Sequence, residues 1–196
     1  MQFISVKNNS EPYIITQPDQ YVFWLFNYSG TFEVEVAAEG ARVFVFALFI
    51  AKEQDVFEVK TIQHHTAPNT ESRLFVKGIM SGNTRLHHEG LVKIEKEAHG
   101  ASAHQKSAVL KLSSESFIDS RPFLEILAND VSCTHGSSIG GFNESSLLYL
   151  MSRGMVRAEA ERVYREGFLE EMFNQIDKIG FEKNIEKYRK EISGYT

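Results

Sequence analysis

The 196-residue sequence has one cysteine, one tryptophan and four prolines, and it contains no long run of charge of either sign. A single cysteine cannot by itself supply a four-thiolate metal site, and the zinc sites that stabilise small domains normally need four ligands at recognisable spacing. The net charge of −5 is spread along the chain, which argues against a nucleic-acid groove. The most apolar run, Val43 to Ala51, is too short to span a bilayer. The first residues, Met-Gln-Phe-Ile-Ser-Val-Lys, lack the basic start and long apolar core of a signal peptide. A cytoplasmic, reduced protein is the resulting expectation. Apolar residues make up 42% and charged residues 24%, enough for a buried core.

From Tyr13 to about Ser132 the chain reads as one short strand after another. Phe32, Val34 and Val36 alternate with Glu33 and Glu35, the period of a half-buried strand. Arg42 to Ile50 is apolar on both faces, which fits a strand covered on both sides or one edge of a subunit contact. Further strands are expected at Tyr21–Asn27, Val56–Lys60, Arg73–Met80, Leu91–Lys96 and Ala108–Leu112. Sandwich, barrel and β-solenoid remain open on periodicity, with small and polar corners from Arg73 onward leaning toward stacked coils.

The stretch from Leu124 to Gly140 holds Cys133 two residues from His135. Leu124, Ile126 and Ala128 define one strand with a buried face, and Asn129-Asp130 a turn. Val131, Cys133 and His135 share a face of a second strand, whose pairing Gly136-Ser-Ser with Gly140 is expected to end. Residues at i and i+2 stand about 6.6 Å apart along a strand, so a thiolate and an imidazole here could lean onto one metal ion or small cluster. A free cysteine also serves as a small buried hydrophobe, and Cys-x-His alone is a weak motif. The histidines His64-His65, His87-His88, His99 and His104 offer a competing reading, a cupin-like barrel whose neighbouring strands hold one divalent metal. Adjacent strand residues point to opposite faces, so at most one of each pair could join such a site.

At Gly141 the period changes from two to 3.6. Asn143 caps a first helix with Leu147, Leu150 and Met151 on one face and Gly154 at its end. A second helix from about Ala158 to Ile176 carries a stripe of Val156, Ala160, Val163, Gly167 and Met172, closed by Gly180. The third, Phe181 to Ile192, sets Phe181, Ile185, Tyr188 and Ile192 on a narrow seam. Such a tail packs on its own domain or offers a docking surface.

The run Ser120-Arg-Pro-Phe-Leu-Glu-Ile to Cys133-Thr-His-Gly136, followed by Leu147-Leu-Tyr-Leu-Met-Ser-Arg-Gly154 and by Gly167-Phe168, resembles the C-terminal half of the SufB/SufD family of iron–sulfur cluster assembly proteins. His65-Thr-Ala-Pro-Asn-Thr, Gly90 and Gln105 fall in the same order, so the resemblance covers about Gln63 to Phe173, with residues 1–60 only weakly matched. It implies a right-handed parallel β-helix over 1–140 followed by a small helical domain over 141–196. It also implies a non-enzymatic scaffold that docks a SufC-like ABC ATPase on its helices and pairs with a second β-helix, its own copy or a related subunit. A nascent iron–sulfur cluster would form transiently at that junction, and nucleotide would belong to the ATPase alone. Carried over by residue, Cys133 and His135 become candidates for the cluster, with His135 at the SufD position. Tyr149, Leu150, Ser152, Arg153, Gly154 and Phe168 become candidates for the ATPase contact. The chain reads as a short, SufD-like member without an upstream cysteine to accept sulfur. A metal-free, ATPase-binding regulatory module is the remaining alternative.

Overall fold

The computed structural model describes residues 1–7 and 11–193. Eleven strands run β1 (Gln2–Ser5), β2 (Tyr13–Ile15), β3 (Gln20–Phe26), β4 (Gly30–Val36), β5 (Arg42–Ala51), β6 (Val56–His65), β7 (Glu71–Met80), β8 (Arg85–Ile94), β9 (Ser102–Lys111), β10 (Phe117–Ile126) and β11 (Ser132–Gly140). Odd-numbered strands form one sheet in the order β1-β3-β5-β7-β9-β11, and even-numbered strands a second in the order β10-β8-β6-β4-β2. Every pairing is parallel. Consecutive strands therefore alternate between two facing sheets, and the chain climbs as a parallel β-helix. Arg42 aligns with Glu71, Glu71 with Ser102 and Ser102 with Ser132, so a coil advances 29, 31 and then 30 residues. Each coil contains two strands, which is why strands recur along the sequence at about half that interval.

Paired residues in parallel strands share a face, so the register builds rows of like residues through the stack. Tyr21, Phe23 and Leu25 of β3, with Val43, Val45, Ala47 and Phe49 of β5, point inward and join Phe32, Val34, Val59 and Leu86 in one core. The alternate residues Val22, Trp24, Phe44, Phe46, Leu48 and Ile50 point outward and are also buried. What covers them is helical. α1 (Glu144–Ser152), α2 (Arg157–Lys178) and α3 (Glu182–Ser193) follow the strands. Leu169, Met172, Phe173 and Ile176 of α2, with Phe181 and with Ile185 and Ile192 of α3, pack onto the outer face of β3 and β5. The doubly apolar segment around Arg42–Ile50 is thus a strand covered on both sides by its own chain.

The helix stripe differs from the sequence expectation. Val156 is 68% exposed and Gly167 is exposed, whereas Leu169, Phe173 and Ile176 are buried. Of the expected stripe, Ala160 and Met172 are buried while Val156 and Gly167 are not, because the residues of this 22-residue helix that meet the sheet lie mostly in its C-terminal half. In α1 only Leu147 is buried, while Met151 is 36% exposed and Leu150 half-buried. Asn143 caps this helix as expected, its Oδ1 accepting the Ser146 N–H at 3.0 Å.

Two glycines are required by the stacking. Gly82 has φ +76° at the corner before β8, where a Cβ would meet the Glu53 backbone at 2.9 Å. Gly90 lies inside the helix, where a Cβ would stand 2.9 Å from Gln105 Oε1.

An ion cluster clips α2 to the sheet. Lys77 on β7 is almost fully buried, donates to Phe168 O at 2.6 Å and Glu171 Oε2 at 2.5 Å, and lies 3.9 Å from the centre of the Phe168 ring. Lys106 on β9 donates to the other Glu171 oxygen at 2.5 Å. Burial pushes the Lys77 ammonium below the usual lysine range despite Glu171. Hydrogen bonds from Lys106 and Lys77 hold the Glu171 carboxyl down to about 2. A carboxyl lowered on folding adds stability above its unfolded value near 4.5, and that stability is lost as pH falls toward 2. Urea unfolding across this range will therefore show a shallower acid loss in Glu171→Gln than in the parent, together with a lower midpoint at pH 7.

Candidate functional site

The β-helix is open at its last coil. β11 pairs only with β9 and β10 only with β8, leaving one edge of each strand without a partner among the described residues. Cys133 aligns with Ala103, His135 with Gln105 and Ser137 with Ser107. Ala103, Gln105 and Ser107 are buried in the interior, so Cys133, His135 and Ser137 extend interior rows to the point where no further coil covers them. Cys133 is half-buried against the small core of Val92, Ile94, Ala101 and Ala103, and His135 is exposed. Leu124 and Ile126 have the inward parity expected of them, yet are 36% and 38% exposed, because the stack ends beside them. Ile139 is 45% exposed for the same reason. β11 pairs on through Gly136-Ser-Ser and ends at Gly140.

Burial pushes the Cys133 thiol above its ordinary value, with a backbone hydrogen bond from Ala103 opposing. Without a metal the group is thus a neutral thiol near pH 7, a poor nucleophile but an available ligand. Among the described residues no three His, Cys, Asp or Glu side chains converge as a metal site. Cys133 and His135 supply two donors, and any further donors must come from outside this part of the chain.

The remaining histidines are not brought together. His65 and His88 are buried inside, while their neighbours His64 and His87 face outward to Glu95 and Asp119. His88 aligns with Val59, six positions along β6 from His65, which sets the two residues about 20 Å apart along the strand direction. His65 Nδ1 and Nε2 each lie 2.7 Å from hydroxyls, those of Thr70 and Ser72, and His88 bonds Thr61 and Ser120 at 3.0 and 3.3 Å. His99 bonds Asp130 and His104 bonds Thr134. A cupin-like centre is therefore not formed.

His65 and His88 belong to an interior polar network that sequence periodicity missed. Gln63 donates to Ser72 at 2.6 Å, Gln105 donates to Gln63 at 3.0 Å, and Ser120 donates to Ser107 at 3.1 Å. These bonds cross the interior between the two facing sheets, β6 to β7, β9 to β6 and β10 to β9, so alternation along any one strand does not reveal them. Burial is the main cause that lowers both imidazoles to about 4. A lowered base leaves the folded state binding fewer protons than the unfolded one. Stability is complete above about pH 6.5 and falls as pH drops toward 4, by about 3 kcal/mol for each ring. Proton NMR titration will show both ring resonances without a midpoint above pH 5, and a midpoint near 6.5 for either would contradict the burial.

The candidate docking residues lie mostly around α1. Tyr149 is 60% exposed, and beside it Leu148 and Val156 are 63% and 68% exposed. Arg153 lies 5.3 Å from the centre of the Tyr149 ring, Ser152 donates to Tyr149 O at 2.7 Å, and Gly154 turns the chain at φ +97°. Leu150 is half-buried. Phe168 lies apart on α2, half-buried beneath Lys77. Arg157 bonds Glu144 at 2.9 Å and fixes the start of α2 to the start of α1.

A parallel β-helix whose last coil presents Cys-x-His at a free edge, with helices folded back on its flank, defines a narrow class of proteins. Residues 28–168 match the family described as SUF system FeS cluster assembly, SufBD core domain, and the chain belongs to that family. The match begins well before Lys60 and takes in strands that the motifs alone left weakly assigned. An iron–sulfur cluster assembly SufBD family protein of Mycobacterium bovis is 31% identical over 143 residues, 73% of this chain and 17% of its own length. Iron–sulfur cluster assembly protein SufD of Bacillus subtilis is 36% identical over 121 residues, 62% of this chain and 28% of its own. A SufBD family protein of Staphylococcus epidermidis is 30% identical over 132 residues. The chain thus spans between about a sixth and under a third of the length of these relatives. No helix among the described residues is long and apolar enough to cross a membrane.

Proposed function

We propose that this chain acts in iron–sulfur cluster assembly as a scaffold subunit, with the cluster as cargo rather than as a resident group. The observation that carries the reading is the placement of Cys133 and His135 on the unpaired edge of the last coil, in a chain of the SufBD family. Two donors are half of what an ordinary cluster needs. A second β-helix, either a copy or a related subunit, laid against β10 and β11 would cover Leu124, Ile126 and Ile139 and contribute the missing ligands. Iron binding would take the proton from the Cys133 thiol that burial otherwise holds in place. The exposed apolar side chains around α1 are the proposed seat of a SufC-like ABC ATPase, with Tyr149, Leu148 and Val156 as its anchors. Residues 141–196 serve as its docking region while α2 and α3 stay fixed to the sheet.

Anaerobic purification from the native host followed by iron and acid-labile sulfide analysis tests the cluster. Cys133→Ala is expected to lose both while melting within about 1 kcal/mol of the parent. Unchanged iron and sulfide in the variant would overturn the assignment. For the ATPase, Leu148→Asp with Tyr149→Ala should remove it from the co-purifying proteins. Point variants are needed because deleting the helices would strip the cover from Trp24, Phe46 and Leu48.

A further inference from the structure

Apart from both surfaces described above, the sheet and the end of α2 line an open cleft of about 530 Å³. Its floor is a two-strand ladder on the outer face of β5 and β7, where Arg42 aligns with Glu71, Phe44 with Arg73 and Phe46 with Phe75. The C-terminal end of α2, with Lys178, forms a wall. Phe75 is half-buried and lies parallel to the buried Phe46 ring, centroids 5.2 Å apart and planes within 8°. This gives a flat aromatic surface backed by a second ring rather than by loose aliphatic packing. Over it stand three cations, Arg42, Arg73 and Lys178, against one carboxylate, Glu71.

Glu71 organises the arginines. Its two oxygens accept Arg42 Nε at 3.0 Å and Arg73 Nε at 2.7 Å, so one carboxylate fixes both guanidinium planes at the mouth of the cleft. Each pair is made through Nε, which leaves the terminal nitrogens of both guanidiniums able to take an anion in bidentate fashion. The volume lies within the range of ordinary small-molecule sites. An aromatic floor with a surplus of positive charge at its rim selects for a ring on one side and a negative group on the other.

We propose that this cleft binds a planar aromatic anion, its ring against Phe75 and its carboxylate, sulfonate or phosphate between Arg42 and Arg73. The site is independent of the Cys133 edge and of α1. Its test uses the intact chain and a matched pair of fluorescent probes, the anionic 1-anilinonaphthalene-8-sulfonate and the neutral N-phenyl-1-naphthylamine. Saturable one-to-one binding of the anion is expected, at least tenfold tighter than the neutral probe. Arg73→Gln should weaken the anion about tenfold and leave the neutral probe unchanged, while Phe75→Leu should weaken both. Leu148→Ser, which alters the apolar surface around α1, should change neither. Phe75→Leu keeps an apolar side chain over Phe46, and thermal unfolding checks that each variant remains folded. Equal affinity for the two probes, or anion binding that is unchanged in folded Arg73→Gln, would overturn the proposal, as would loss of binding in Leu148→Ser alone.

Discussion

The double burial of β3 and β5 is the constraint on which the rest depends. A strand apolar on both faces is costly to leave facing water, and here alternate residues are divided between two cores. Phe23, Val45 and Phe49 fill the interior, while Trp24, Phe46 and Leu48 need a cover that the coils themselves do not provide. α2 and α3 supply it, which draws the C-terminal segment back along the flank toward the early coils. Helices and strands share one hydrophobic core there, and the Lys77–Glu171–Lys106 clip fixes the join further along the sheet. The helices lie on the flank, and among the described residues no strand covers the last coil.

That division leaves two unlike surfaces. At the end of the β-helix, rows that are interior everywhere else emerge as Cys133, His135, Leu124, Ile126 and Ile139, with unpaired strand edges around them. Around α1, a short helix held by one buried leucine carries Leu148 and Tyr149 outward. The first surface offers backbone edges and metal donors, and the second offers side chains only.

Much of the fold was legible in the sequence because its signals are local. Alternation at Phe32, Val34 and Val36, the change of period after Gly141, the Asn143 cap and the doubly apolar strand all became elements where expected. The parts that were not legible depend on the register. Gln63, Ser72 and Gln105 look like ordinary polar strand positions until the two sheets face one another and bring them into contact across the interior. Leu124 and Ile126 read as buried because alternation reports which face a residue takes, and not whether another coil lies beyond it. The Cys133 and His135 spacing is one that a structural cysteine shares, and only the register shows that both residues lie at the free edge of the last coil. The α2 stripe held at Ala160 and Met172 and failed at Val156 and Gly167, because periodicity assumes that a whole helix rests on its neighbour.

The account holds that the last coil and α1 are where partners join. Hydrogen–deuterium exchange of the chain, alone and in the complex isolated anaerobically from its host, measures both surfaces at once. The isolated chain should exchange quickly at Ser132–Gly140 and at Glu144–Ser152, and both segments should become protected in the complex, while Arg42–Ala51 stays slow in either state. Protection elsewhere with no change at β11 would contradict the central claim, whatever happens at α1.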